Sequence, residues 1–249
     1  MRDINELKNK HRGERCFVIG NGVDLKRMNL NKMKNDVTIS CNLIGRLMTP
    51  TYLCIADPNV YKKYKKEIDA NKSKNKIFNS GPKSFNPCRS FPKDSYVIGL
   101  SNIPLTREDK DFNNLHKGVS KGRGTVISNL CLPLAYYMGF KEIYLIGVEN
   151  TRGHFYTKWN HKNISIYLIG LIRTLLSFEL AYLKKSLEVK YYPNDVRSWD
   201  WIMRDYEGKY KEIFEIIKDI FERDNRVIYN ATLAGVIEVF ERVDYDSLF

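Results

Sequence analysis

Two histidines and a tyrosine, His154, Tyr156 and His161, follow the apolar run "EIYLIGV" at 142–148. An imidazole titrates near neutrality, with an unperturbed pKa of about 6.5, so either histidine is suited to take a proton from a hydroxyl. A loop histidine is as readily a plain surface residue, and spacing alone does not choose between the two. Glu149 comes directly after the same run. Further upstream, "CFVIGNGVDL" at 16–25 sets Gly20, Asn21 and Gly22 behind apolar residues. A strand, a tight turn and a helix start can present backbone N–H groups to an anion. Asn21 adds an amide that both donates and accepts. The dinucleotide pattern GxGxxG is incomplete, because Leu25 stands at its third glycine. Asp24 would repel a phosphate unless it turned away as a helix cap.

Three further positions join this set. "VTISCN" ends in Asn42, and "TYLCIADP" brings Asp57 to the end of another apolar run. "KGRGT" puts Gly122, Arg123, Gly124 and Thr125 before a long apolar helix pattern, where amides, a hydroxyl and a guanidinium could hold a phosphate.

Those residues need elements to carry them. Apolar runs recur at 16–20, 37–41, 51–57, 95–100, 142–148 and 226–231. They are continuous rather than alternating, as in strands covered on both faces. Helical patterns lie at 125–140, stopped by Gly139, and at 210–223, with Ile213, Ile216, Ile217, Ile220 and Phe221 on one side. Strands alternating with helices predict an α/β fold, a doubly wound and mostly parallel sheet of Rossmann-like type. The stretch 71–94 is rich in Asn, Ser, Lys, Gly and Pro and reads as a long loop with room for one short strand. The expected organisation is a nucleotide-binding core at 1–154, a helical insert or lid at 155–207, and a C-terminal helix and strand at 208–249 that complete the core.

Composition narrows the classes. At 249 residues and 43% hydrophobic content, one main core is expected. The most apolar stretch, 164–183, carries Arg173 and Glu179, which argues against a membrane span. The polar N-terminus lacks the pattern of a secretory signal, so a cytoplasmic protein is expected. Five cysteines without CxxC or Cys/His spacing read as reduced core residues rather than metal ligands. The formal charge of +12 calls for an anionic partner. The lysines between Lys62 and Lys76 mix with acids and lack an RNA-binding aromatic pattern, so nucleic acid is not expected.

Taken in order, "RCFVIGNGVDL", "VTISCN", "TYLCIAD", "GRGTVISNLCLPLAYYMGFKEIYLIGVEN" and "RVIYNATLAGVIEVFERVDYDSLF" resemble the MptE-like domains of bacterial surface-polysaccharide clusters and motility-associated glycosyltransferases. The chain is more distantly similar to the metal-independent bacterial sialyltransferases. That resemblance implies a GT-A-variant, Rossmann-like domain with a lid, binding a CMP-sugar. It carries Asn21 and Asn42 onto donor contacts, Gly124 and Thr125 onto a donor-binding turn, and Glu149 onto the usual aspartate. His154, Tyr156 and His161 fall where lid residues arise. Val23 and Asp24 depart from the Pro-Ser of the sialyltransferase loop, and Glu149 departs from its aspartate.

The resulting expectation is a glycosyltransferase that uses a nucleotide sugar without a metal or other cofactor. Its acceptor would be a glycan or a lipid-linked molecule, at the inner membrane periphery, with a homo-oligomer allowed. The MptE-like alternative is a pyrophosphokinase needing ATP and magnesium, with Asp57 and Glu149 as candidate ligands. Asp244 and Asp246 form a weaker metal pattern in the tail. A non-catalytic nucleotide- or glycan-binding partner is the third reading.

Overall fold

The computed structural model describes residues 1–79, 91–99, 105–115, 124–149, 154–155, 208, 210–233 and 235–249. Eight strands form one sheet: β1 (Arg15–Ile19), β2 (Val37–Cys41), β3 (Tyr52–Ile55), β4 (Asn75–Asn79), β5 (Tyr96–Ile98), β6 (Glu142–Ile146), β7 (Val227–Asn230) and β8 (Glu241–Arg242). Their spatial order is β5-β4-β3-β2-β1-β6-β7-β8. Every pairing is parallel, which sharpens the expected "mostly parallel" sheet.

The continuous apolar runs have a simple cause: both faces of the sheet are covered. Cys16 and Val18 of β1 point into one apolar layer, while Phe17 and Ile19 point into the other. The first layer takes the helices on either side of β6. One of these is α2 (Leu132–Tyr137), continuous with a preceding π turn (Ile127–Cys131). The other is α3 (Lys211–Arg223), which buries Phe214, Ile216, Ile217, Ile220 and Phe221. The opposite layer takes α1 (Pro58–Ala70), which lies between β3 and β4 and buries Tyr61 and Ile68.

The π turn has a local reason. Pro133 has no N–H to give the carbonyl four residues back, and its ring would press on that carbonyl. The chain widens by one residue instead, and the Leu132 N–H bonds to the Ile127 carbonyl. Gly139 then ends the helix at φ +88°, a conformation that costs a side-chain-bearing residue more.

All six expected strands are present, and β4 is the short strand allowed within 71–94. Helix α1 was not expected. Apart from Phe155, the helical insert expected over 155–207 lies outside the described residues, and so do Cys88, Arg123, Tyr156 and His161. Among the described residues no helix is long and apolar enough to cross a membrane.

Candidate functional site

From β1 the chain builds the sheet outward through β2 to β5, then returns to the other side of β1 with β6. The order therefore reverses between β1 and β6. In open α/β sheets the crevice at such a reversal, outside the carboxyl ends of the strands, is where ligands bind. The loops after β1, β2 and β6 and the start of the π turn all come to this edge. Asn21, Asn42, Glu149, Gly124 and Thr125 are thus brought to one side of the molecule.

The glycines of the first loop make room for protein. The Gly20 N–H donates to the Ile146 carbonyl and the Gly22 N–H to the Gly147 carbonyl, both at 2.8 Å, so the β1 loop runs on beside the end of β6. A Cβ on Gly20 would collide with the Gly147 backbone, and one on Gly22 with the Glu149 carboxylate. Glu149, 4% exposed, reaches under the loop and accepts the Asp24 N–H at 2.8 Å through Oε1. A carboxylate of the chain itself thus holds the place that the sequence reserved for an anion. Asp24 is not the cap; it is buried in the 3-10 turn Val23–Arg27, with Arg27 4.0 Å away.

Asn21 is 6% exposed. Its backbone carbonyl accepts the Phe155 N–H at 2.9 Å, and its Nδ2 lies 2.9 Å from Cys41 Sγ. Its Oδ1 is buried with no hydrogen-bond partner among the described residues, and the same holds for Asn42 Oδ1. Asn42 also adopts φ +53° at the end of β2, a strained conformation that asparagine tolerates better than most residues. A buried amide oxygen left without a donor costs about 1–3 kcal/mol, so each marks a place for a donor.

His154 joins the same loop. It is exposed, but protein crowding on one side desolvates its ring and holds its pKa below the ordinary imidazole value, against the opposing pull of a hydrogen bond to the Asn21 backbone. A depressed pKa keeps the imidazole in its neutral, proton-accepting form at neutral pH, though it makes it a weaker base.

Other expected residues have structural partners. Asp57 is exposed and caps α1 by accepting the Asn59 N–H at 2.7 Å. The Thr125 N–H is taken by Ser128 Oγ at 2.9 Å, and Gly124 packs against Ser128 and Asn129. Asp246 pairs with Lys32 and Asp244 accepts the Ser247 N–H, so the tail pair forms a solvated turn. Among the described residues no group of three His, Cys, Asp or Glu side chains converges as a metal site.

Two contributors went unread in the sequence. Thr232 Oγ1 accepts the Val148 N–H at 3.2 Å, and the Asn230 side chain bonds to the Thr232 N–H and the Ile237 carbonyl, bracing the loop that carries Glu149. The signal was available in "IYNAT", where polar residues close an apolar strand. Beneath Asn21 lie the free, buried thiols of Cys16, Cys41, Cys54 and Cys131. Burial pushes the Cys16 and Cys131 thiols up; for Cys41 the larger cause is its hydrogen bond with Cys131. They are core residues, as their apolar setting implied.

No family model matches the chain, and no curated protein or solved structure matches it either.

Proposed function

We propose that the crevice outside β1, β2 and β6 binds a nucleotide-activated sugar, and that the protein transfers the sugar to a hydroxyl of a surface-glycan acceptor. The observation that carries this reading is the pair of buried, unpartnered amide oxygens of Asn21 and Asn42. Oxygens of this kind accept from sugar or ribose hydroxyls, or from a base amino group. Asp24 and Glu149 add acceptor character at the same loop, so it suits hydroxyls better than phosphate. Arg123, which lies outside the described residues, is the candidate cation for the leaving phosphate.

In the transfer step His154 removes the acceptor hydroxyl proton. The oxygen attacks the anomeric carbon, the bond from that carbon to the donor phosphate breaks, and the nucleotide leaves with the electron pair. A CMP-linked donor is the preferred candidate, on the resemblance of the Asn21 and Asn42 motifs to the sialyltransferase pattern.

A thermal-shift screen with CMP, CDP, UDP, GDP, ADP and ATP, each with and without magnesium, tests the proposal, because a ligand selective for the folded state raises Tm. Stabilisation by CMP without metal, weakened more than tenfold in Asn21→Ala, is the expected result. Stabilisation by ATP only with magnesium would replace the reading with pyrophosphate transfer. A flat screen would leave a glycan-binding partner as the better description.

A further inference from the structure

Helix α1 and the turn after it carry six lysines against two acids between residues 58 and 74. In sequence the two signs look mixed, but the structure separates them. Glu67 is held by Arg46, whose Nε and Nη2 donate to its two oxygens at 2.6 and 2.8 Å, and the Arg46 guanidinium lowers its pKa. Asp69 is held by Lys65 and by the Tyr61 hydroxyl. Both acids are thereby neutralised within the helix surface. Lys62, Lys63, Lys66, Lys72 and Lys74 remain exposed, with no acidic partner among the described residues.

Geometry gathers these charges. Tyr61 and Ile68 point into the core, while Lys62, Lys63 and Lys66, on either side of the break at Tyr64, are all exposed. Lys72 and Lys74 follow the helix end and are exposed as well. Leu47, next in sequence to Arg46, is 36% exposed and one of four large hydrophobics exposed among the described residues. Tyr64, half-buried, lies under Arg46 and Lys63, at 5.6 and 5.1 Å from its ring centroid.

We propose that this face adsorbs the protein to an anionic phospholipid surface. Lys62, Lys63 and Lys66 on α1, with Lys72 and Lys74 after it, are exposed without acidic partners among the described residues and offer point charges to a diffuse negative field rather than the planar forks that recognise one phosphate. Among the described residues, the arginine beside this helix, Arg46, is already committed to Glu67. Leu47 offers an apolar side chain to the lipid boundary, and the exposed aromatic platform used to stack nucleic-acid bases is missing from this face among the described residues. This inference stands apart from the nucleotide site and does not depend on it.

The test is co-sedimentation of the full chain with phosphatidylcholine vesicles, with and without phosphatidylglycerol, at low and at physiological salt. Binding is expected only with the anionic lipid and should weaken as salt rises. Each lysine at such a surface is worth about fivefold in affinity, so the triple variant Lys62→Gln, Lys63→Gln, Lys66→Gln should bind about 100-fold more weakly. Its Tm should match that of the parent, since all three side chains are exposed. A control variant, Lys8→Gln, Lys34→Gln, Lys141→Gln, removes the same charge from exposed positions that precede β1, β2 and β6 and should bind normally. Failure to bind anionic vesicles, or equal loss in both variants, would overturn the proposal. Displacement from vesicles by single-stranded RNA at equal phosphate concentration would also overturn it, in favour of a nucleic-acid face.

Discussion

Replacing Gly22 by alanine isolates one contact at the centre of the candidate site. Gly22 has φ −60° and ψ 153°, which alanine adopts freely, so the substitution carries no backbone strain. Its cost comes from the new Cβ, which would stand 2.7 Å from Glu149 Cδ, closer still to Oε1, and 2.8 Å from the Gly147 carbonyl oxygen. Ordinary contact begins near 3.4 Å, so Glu149 must withdraw and release the Asp24 N–H. Losing a hydrogen bond to a charged group costs about 1.5–3 kcal/mol. Overpacking against the fixed Gly147 carbonyl adds about 1–3 kcal/mol. Together these give a loss of about 2.5–6 kcal/mol, read as a lower urea midpoint with an unchanged slope. Glu149→Ala alone should cost about 1–3 kcal/mol by leaving the Asp24 N–H unsatisfied. In the double variant the clash with the carboxylate is gone, so the two losses should fall short of additivity by about 1–2 kcal/mol. A Gly22→Ala protein within about 0.5 kcal/mol of the parent, or a strictly additive pair, would refute the packing of Glu149 under this loop.

Three other outcomes follow from the same geometry. Asn42→Gly should keep or slightly raise Tm because φ +53° suits glycine, whereas Asn42→Val should cost about 1–3 kcal/mol; equal melting of the two would contradict the left-handed backbone. Cys16, Cys41, Cys54 and Cys131 should resist a thiol reagent in the native protein and react together after unfolding; rapid native labelling of any one would contradict their burial. By NMR, His154 should titrate below the ordinary value of about 6.5. Its neutral form is the one favoured by folding, so its contribution to stability is full above that ordinary value and is lost as pH falls through the lowered one. A His154 pKa above 6.5 would contradict the desolvated setting.

The sheet was readable because parallel strands buried on both faces leave unbroken apolar runs, as in "CFVIG" and "EIYLIGV". Helix α1 was not readable from apolar periodicity. Only Tyr61 and Ile68 are buried, and the helix is interrupted at Tyr64, where φ is −117° and ψ 24°. Its local signal was Asp57-Pro58, a cap followed by proline at the first turn, a pattern that the sequence reading took for a ligand contact. Asn21 and Asn42 were legible as polar residues at strand ends. The partner of the glycine pair was not, because Glu149 caps a turn 125 residues away and no local pattern encodes that meeting. The glycines serve a close backbone approach, and what approaches is the end of β6.

The reversal of strand order between β1 and β6 also bears on how the chain is made. Arg15 pairs with Glu142 in the finished sheet, so the centre of the molecule closes only after nearly 130 residues have been added. Until β6 leaves the ribosome, β1 is an open edge with Phe17, Val18 and Ile19 in its row, and open apolar edges invite pairing between chains. Such long-range parallel closure is slow. Fragments ending before residue 142 should therefore collect in the insoluble fraction, and slower synthesis or chaperone supply should raise the yield of the whole chain by protecting that one strand.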